Sequence, residues 1–230
     1  MTTHKLFCFG HRGTRGHEPE NTVRSVRRAL ELGADGVEVD VRLADGRLMV
    51  IHDATLKRTT NGHGRVAKKP FAYLRSLDAG AGERIPTLEE IFDAVDRRAI
   101  VNVELKDARA TGPVAALIVD YVKERGWRFE DFIVSAFDHS QLRKIKKICP
   151  LIRTGALIHR VPRRLARLVE ALNVESIHPP RRWVTLKLVD EAHRLGRKVF
   201  VFTVNEPAQI ARMKSLGVDG VFTDFPERAR

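Results

Sequence analysis

Cysteine, aromatic residues and long apolar runs are all scarce in this chain. Cys8 and Cys149 are its only cysteines, and both sit among apolar neighbours. No disulfide framework is implied, and a reducing cytoplasm is the expected setting. The apolar stretch within MTTHKLFCFG is too short for a signal peptide, and no segment approaches membrane-spanning length. Aromatic residues make up 7% with no stacking platform visible among them, which counts against single-strand binding, so no nucleic-acid partner is expected. There is no low-complexity segment and no linker. No glycine-rich phosphate fingerprint follows the first apolar stretch, which counts against a doubly wound dinucleotide fold.

Acidic residues are scarce in one region. Between Arg143 and Lys187 the chain carries twelve Lys or Arg but only Glu170 and Glu175, and this fifth of the sequence holds most of the formal charge of +12. RKIKK (143 to 147) lies on an amphipathic helical pattern and reads as a solvated basic face. The arginines further along fall after expected strands and are taken up below.

What the chain does contain is a recurring junction. LGADGVEVD (32 to 40), LGVDGVFTD (216 to 224) and LGRKVFVFT (195 to 203) each join the end of a helical pattern to a strand through Leu-Gly, with glycine supplying the left-handed helix cap. Strands are expected near 6–10, 36–43, 100–105, 132–136, 152–158, 174–178, 198–203 and 219–222. Helical patterns lie between them, including Leu88/Ile91/Phe92/Val95 behind a Thr87–Glu90 capping box. Eight β/α units in 230 residues predict an α/β protein, a (β/α)8 TIM barrel in a single domain spanning residues 1–230. One piece departs from the pattern: RLADGRLMVIHD (42 to 53) predicts a β-hairpin turning at Asp45-Gly46, with a short insertion to about residue 86. A bulge at Gly46 puts His52 across from Glu38, whereas a tight two-residue turn puts it opposite Val39; the bulge is the expected form, because it points His52 at the carboxylates.

The C-terminal ends of barrel strands form the active face. Those ends carry His11 and Arg12, then Glu38 and Asp40, with His52 returning on the hairpin. In VNVELKD, alternation turns Asn102, Glu104 and Lys106 inward. Inward acids are hard to justify as packing, because buried unpaired charge is costly. Glu38, Asp40 and Glu104, with no cysteine near, make a hard oxygen site suited to Mg²⁺ or Ca²⁺. Arg12 and Lys106 suit an anion beside that metal. Two histidines supply a proton donor and an acceptor near neutral pH, so the set fits phosphoryl chemistry. A rim salt bridge accounts for any one of these residues, but not for seven converging on one rim.

These residues sit in GHRG…PENT, GADGVEVDVRLADG, VIHDATLKRTTNGHG, IPTLEEIF, VNVELK, VFTVNEP and GVDGVFTDFPE. Taken together, these segments resemble the glycerophosphodiester phosphodiesterase family over nearly the whole chain. The resemblance implies a metal-dependent barrel that cleaves glycerophosphodiesters, small-molecule substrates, to glycerol 3-phosphate and an alcohol. It implies that His11 and His52 form the acid/base pair, that Glu38, Asp40 and Glu104 are metal ligands, and that Arg12 and Lys106 contact phosphate. A cyclic phosphate formed by attack of the glycerol 2-hydroxyl is expected by analogy with related barrels, with His11 preferred as base and His52 as leaving-group acid. Phe202 stands where the family often has tryptophan. Glu20 is expected to buttress the site, Asn21 or Thr22 to cap the first helix, His17 and Arg15 to face solvent, His178 to be structural, Asn205 to cap the last barrel helix, and Asp53 to orient the hairpin. Arg160, Arg163, Arg164, Arg181 and Arg182 should rim the mouth, concentrating anionic substrates or holding the mouth against an anionic membrane. Two alternatives compete: a lysophospholipase D, and a non-catalytic basic barrel that binds membrane or nucleic acid.

Overall fold

The computed structural model describes residues 5–162 and 164–229; Arg163, one of the expected rim arginines, lies outside them. Eight strands close a parallel barrel: β1 (Phe7–Gly10), β2 (Gly36–Ala44), β4 (Ile100–Leu105), β5 (Phe132–Ala136), β6 (Thr154–Leu157), β7 (Ser176–His178), β8 (Lys198–Val201) and β9 (Gly220–Thr223). Each pairs with its neighbour, and β1 meets both β9 and β2 to complete the circle. Helices α1 (Val23–Glu31), α3 (Leu88–Val95), α4 (Thr111–Glu124), α5 (His139–Ile148), α6 (Leu165–Leu172), α7 (Leu186–Arg194) and α8 (Pro207–Ser215) form the outer ring, while the short α2 (Phe71–Ser76) lies in the insertion. The predicted TIM barrel is therefore the fold. Thr87 and Glu90 make the expected capping box, and Gly33, Gly196 and Gly217 take the positive φ that the Leu-Gly junctions require. Among the described residues no helix is long and apolar enough to cross a membrane.

Strand alternation sorts the side chains. Val37, Val39, Val41, Val101 and Val103 face the helices and build the largest apolar cluster. Inside the barrel, Phe9, Ile133, Phe200 and Phe222 form a plug, with Phe7, Ile100 and Phe202 packed on it; the Phe9 ring lies 4.8 Å from Phe222 and 5.2 Å from Phe200. This plug fills the lower barrel, so the polar inward residues collect above it, toward the C-terminal rim.

The hairpin of β2 with β3 (Arg47–Val50) forms, but its turn is not the bulge expected from the sequence. Ala44 pairs with Arg47 and Val41 with Val50, leaving a two-residue loop in which Asp45 and Gly46 both have positive φ, 48° and 70°. This is the turn that matches strand twist, and its register would set His52 opposite Val39. The strand ends first. The Ile51 N–H still bonds the Asp40 carbonyl at 2.9 Å, after which the chain leaves the ladder and His52 escapes the alternation. The insertion folds over the hairpin as a small core of Met49, Leu56, Val66, Leu74, Leu77 and Ile85.

Candidate active site

β1 delivers His11 and Arg12 directly onto the rim. Arg12 has φ +53°, a backbone state that costs a side-chain-bearing residue about 1–3 kcal/mol and persists where its surroundings over-determine it. Here it turns the Arg12 N–H onto Glu38 Oε2 at 2.9 Å. The guanidinium reaches Glu20 Oε1 at 2.8 Å and comes within 3.3 Å of Asp40 Oδ2. Burial opposes its charge, but Asp40, Glu38 and Glu20 outweigh burial and raise its pKa.

Glu38 and Asp40 are two residues apart on β2 and so share its inner face; Glu104 on β4 pairs in register beside Asp40. All three are buried, at 3%, 1% and 9% exposure, and one oxygen from each lies within 4.8 Å of the others. Asn21 fixes Asp40 from both sides: its Nδ2 donates to Asp40 Oδ2 at 2.8 Å and its Oδ1 accepts from the Asp40 N–H at 3.1 Å. Thr22, not Asn21, caps α1. Lys106 Nζ lies against Glu104 Oε1 and 3.3 Å from Asp40 Oδ1. Burial works to raise the Asp40 pKa, but Lys106 and Arg12 hold it below the usual carboxylate value. Glu38 goes the other way, pushed well up by burial and by the charges of Asp40 and Glu104. Glu104 is pushed up to about 7 by burial and by Asp40.

Three buried acids with two nearby cations leave negative charge uncompensated, and two of their oxygens, Glu38 Oε1 and Asp40 Oδ1, are buried without a hydrogen-bond partner. Such orphaned acceptors call for a cation. An all-oxygen donor set without sulfur suits a hard divalent ion, so the residues present fit one.

Each rim histidine is held at Nδ1 by a carboxylate. His11 Nδ1 lies 2.7 Å from Asp224 Oδ1, and Asp224 is itself gripped by Asn205, whose Nδ2 donates to Asp224 Oδ2 at 2.7 Å. His52 Nδ1 lies 2.6 Å from Asp53 Oδ1. Asp53 accepts from Arg58, which donates two bonds of 2.8 Å to Glu20, so the chain of contacts runs back to Arg12. Hydrogen bonds from Arg58 hold the Asp53 carboxyl far below its ordinary value. Glu20 lies at about 2, because bonds from Arg58 and Arg12 outweigh the effect of burial. His52 is shifted down by burial, partly offset by Asp40 and Asp53. Both imidazoles, with Arg12, Glu38, Glu104 and Lys106, line one cavity of about 250 Å³.

The rest of that cavity is different in kind. Phe137, Leu157, Phe202 and Phe222 form an apolar wall, with Phe137 stacked on His159 at 4.3 Å. His178 also faces the cavity, but its Nε2 meets Ser176 Oγ at 2.8 Å and its Nδ1 has no partner; burial drives its pKa down to about 3, so it is neutral. Two sequence expectations change, those for Asn205 and Asp53, and the one for Arg15 is extended. Asn205 does not cap α8, whose N-cap is Glu206, but braces Asp224. Arg15 is exposed, yet it lines the cavity mouth and lies 3.4 Å from Glu20 Oε2; His17 does face solvent, beside Glu227. Asp53 holds an imidazole where a hairpin contact was expected. Asp224 and Arg58 were missed, since one lies 213 residues from its histidine and neither stands in a spacing that marks it.

A barrel with its charge gathered at the C-terminal mouth belongs among enzymes that act on small anionic substrates. The model of the glycerophosphoryl diester phosphodiesterase family matches residues 11–228. A glycerophosphodiester phosphodiesterase of Caldanaerobacter subterraneus is 40% identical, covering 97% of this chain and 96% of its own length. One from Bacillus altitudinis is 38% identical, covering 96% and 95%. An Oleispira antarctica phosphodiesterase, solved in complex with the product sn-glycerol-3-phosphate, superposes with a TM-score of 0.90 at 31% identity over 97% of this chain and 94% of that one. The chain belongs to the glycerophosphoryl diester phosphodiesterase family and is a phosphoric diester hydrolase.

Proposed function

We propose that the chain hydrolyses glycerophosphodiesters to glycerol 3-phosphate and an alcohol, using a divalent ion, Mg²⁺ or Ca²⁺, with His11 and His52 as the acid/base pair. The observation that carries this reading is the pairing of two carboxylate-backed imidazoles with three buried acids around one cavity. Glu38, Asp40 and Glu104 would hold the ion, which when bound supplies positive charge to a phosphate oxygen. Arg12 and Lys106 bind the phosphate and offset charge that grows on it during transfer. His11, oriented through Nδ1 by Asp224, takes the proton of the glycerol 2-hydroxyl at Nε2 as that oxygen bonds to phosphorus. His52, oriented by Asp53, gives a proton from Nε2 to the departing alcohol oxygen as its bond to phosphorus breaks. A five-membered cyclic phosphate results. Water then opens it with the two roles exchanged, which leaves glycerol 3-phosphate and restores both histidines. In this proposal residues 1–230 work as one catalytic domain in a reducing cytoplasm.

A lysophospholipid would present the same phosphodiester, and the apolar wall of Phe137, Leu157 and Phe202 supports that second reading. The test is glycerol 3-phosphate release from a panel of glycerophosphocholine, glycerophosphoethanolamine, glycerophosphoglycerol and glycerophosphoinositol, with a lysophospholipid alongside, in Mg²⁺, Ca²⁺ or chelator. Release from at least one water-soluble diester is expected, together with its loss in His11→Ala and His52→Ala. Release of choline and lysophosphatidic acid from the lysolipid alone would favour the second reading. No product from any of them would overturn both and leave the non-catalytic binder.

A further inference from the structure

We infer that the loops after β6 and β7 form a docking surface for an anionic lipid bilayer, which would bring the catalytic mouth to face the membrane. Parallel barrel strands place these loops side by side at the C-terminal rim, because β6 pairs with β7. Arg160, Arg164, Arg182 and Lys187 are exposed there, and among the described residues none of them pairs with a carboxylate. The two acids of the region lie elsewhere: Glu170 in the second half of α6, and Glu175 immediately before β7, beside Arg153 and Lys198.

Charge alone would suit the steering of small anions. The apolar residues decide between the two roles. Trp183 is 44% exposed and Leu186 56%, three residues apart, in the midst of those cations. A large side chain that turns to water beside arginines has the composition of an interfacial anchor, in which the rings and methyl groups enter the headgroup layer and the cations meet lipid phosphates. Arg182 lies 6.0 Å from the Trp183 ring, so both would meet one surface. The loop is also tied to the mouth: the Arg181 N–H donates to the Phe202 carbonyl at 2.9 Å and its guanidinium to the Thr203 carbonyl at 3.0 Å, and Phe202 and Thr203 line the cavity. The inference goes beyond the proposed reaction and does not depend on which diester is cleaved.

A second exposed apolar pair supplies the control. Ile148, the last residue of α5, and Leu151 just beyond it, 48% and 65% exposed, lie at the opposite end of the barrel. The test is co-sedimentation with vesicles of phosphatidylcholine, with and without about 30% phosphatidylglycerol, at about 0.1 M and about 0.5 M salt. Binding is expected to the anionic vesicles only and to weaken with salt. Arg182→Glu/Lys187→Glu should lower it at least about tenfold, as cations that meet lipid phosphates are lost, and Trp183→Ser/Leu186→Ser about fivefold or more, as apolar side chains leave the headgroup layer. Ile148→Ser/Leu151→Ser should bind as wild type.

The chain has two tryptophans, and Trp127 is buried at 4%, so a blue shift of fluorescence on adding anionic vesicles reports Trp183. Trp183→Phe should abolish the shift and retain binding. Absence of binding overturns the inference, as does binding that only Ile148→Ser/Leu151→Ser removes. So does a salt-sensitive rate on soluble anionic diesters without vesicle binding, since the arginines would then steer free substrate.

Discussion

The two halves of the barrel mouth share one cavity and almost none of their chemistry. The half built by β1, β2, β4 and the hairpin carries His11, Arg12, Glu38, Asp40, His52, Glu104 and Lys106; the half built by β5 to β8 carries Ser135, Phe137, Leu157, His178 and Phe202. Histidine occurs in both, so residue type does not separate them. The environment does. His11 and His52 each meet a carboxylate at Nδ1, which fixes the ring's orientation. His178 meets a hydroxyl and is otherwise walled in by Phe200 and Phe222, so it stays neutral. In the proposed reaction the acid/base work falls to the first half, and the second half would shape what fits against it.

Removing the acids should break this contrast most severely. Glu38→Gln and Glu104→Gln are expected to lower kcat/KM about a thousandfold or more, the several kcal/mol that a lost metal contributes to a phosphoryl transition state. In metal-free protein the same changes should raise the thermal midpoint, because they relieve repulsion among buried carboxylates; scanning calorimetry with chelator checks this. Next come the imidazoles: His11→Ala and His52→Ala should each reduce kcat about 10²- to 10⁴-fold, whereas His178→Asn should keep most of it. Asp224→Asn and Asp53→Asn leave the ring in place and remove its anchor, so a smaller fall in kcat, about ten- to a hundredfold with KM nearly unchanged, is expected. On the other half, Phe137→Ala should raise KM about tenfold with little change in kcat, as loss of apolar contact affects ground and transition states alike.

The mildest effect is one of pH. Folded His178 titrates at about 3, against about 6.5 for a free imidazole. The unfolded chain therefore takes up a proton that the folded chain refuses, and stability falls as pH drops from about 6.5 toward 3, by up to about 1.4 kcal/mol per pH unit. Glu20 adds to this lower down: its contribution is complete above the free carboxylate value and disappears as pH falls toward about 2. Urea unfolding of wild type and His178→Asn at pH 7 and pH 4.5 should show the variant losing less; parallel losses would contradict the buried neutral histidine.

The barrel and the acidic trio were legible in the sequence because they rest on local rules. Alternation through Glu38-Val39-Asp40 and Asn102-Val103-Glu104 separates inward acids from outward valines, and each Leu-Gly junction marks a helix end. The hairpin turn was misjudged by assuming that His52 must stay in the ladder to reach the carboxylates. Asp-Gly favours the tight turn, and the chain satisfied both demands by ending β3 at Val50. Asn205 precedes a helix and looks like a cap; only the fold brings Asp224 to it. The backing of the two histidines, Asp224 through Asn205 and Asp53 through Arg58 and Glu20, is set by tertiary contacts between segments whose spacing along the chain carries no signal.

The central claim is that Glu38, Asp40 and Glu104 hold a divalent ion that turnover requires. It is tested most directly by following glycerol 3-phosphate release from a preferred diester after exhaustive chelation and then on return of Mg²⁺ or Ca²⁺. Release should stop with chelator, return with one of the two ions in wild type, and not return in Glu38→Gln. Full release in the presence of chelator would contradict the account.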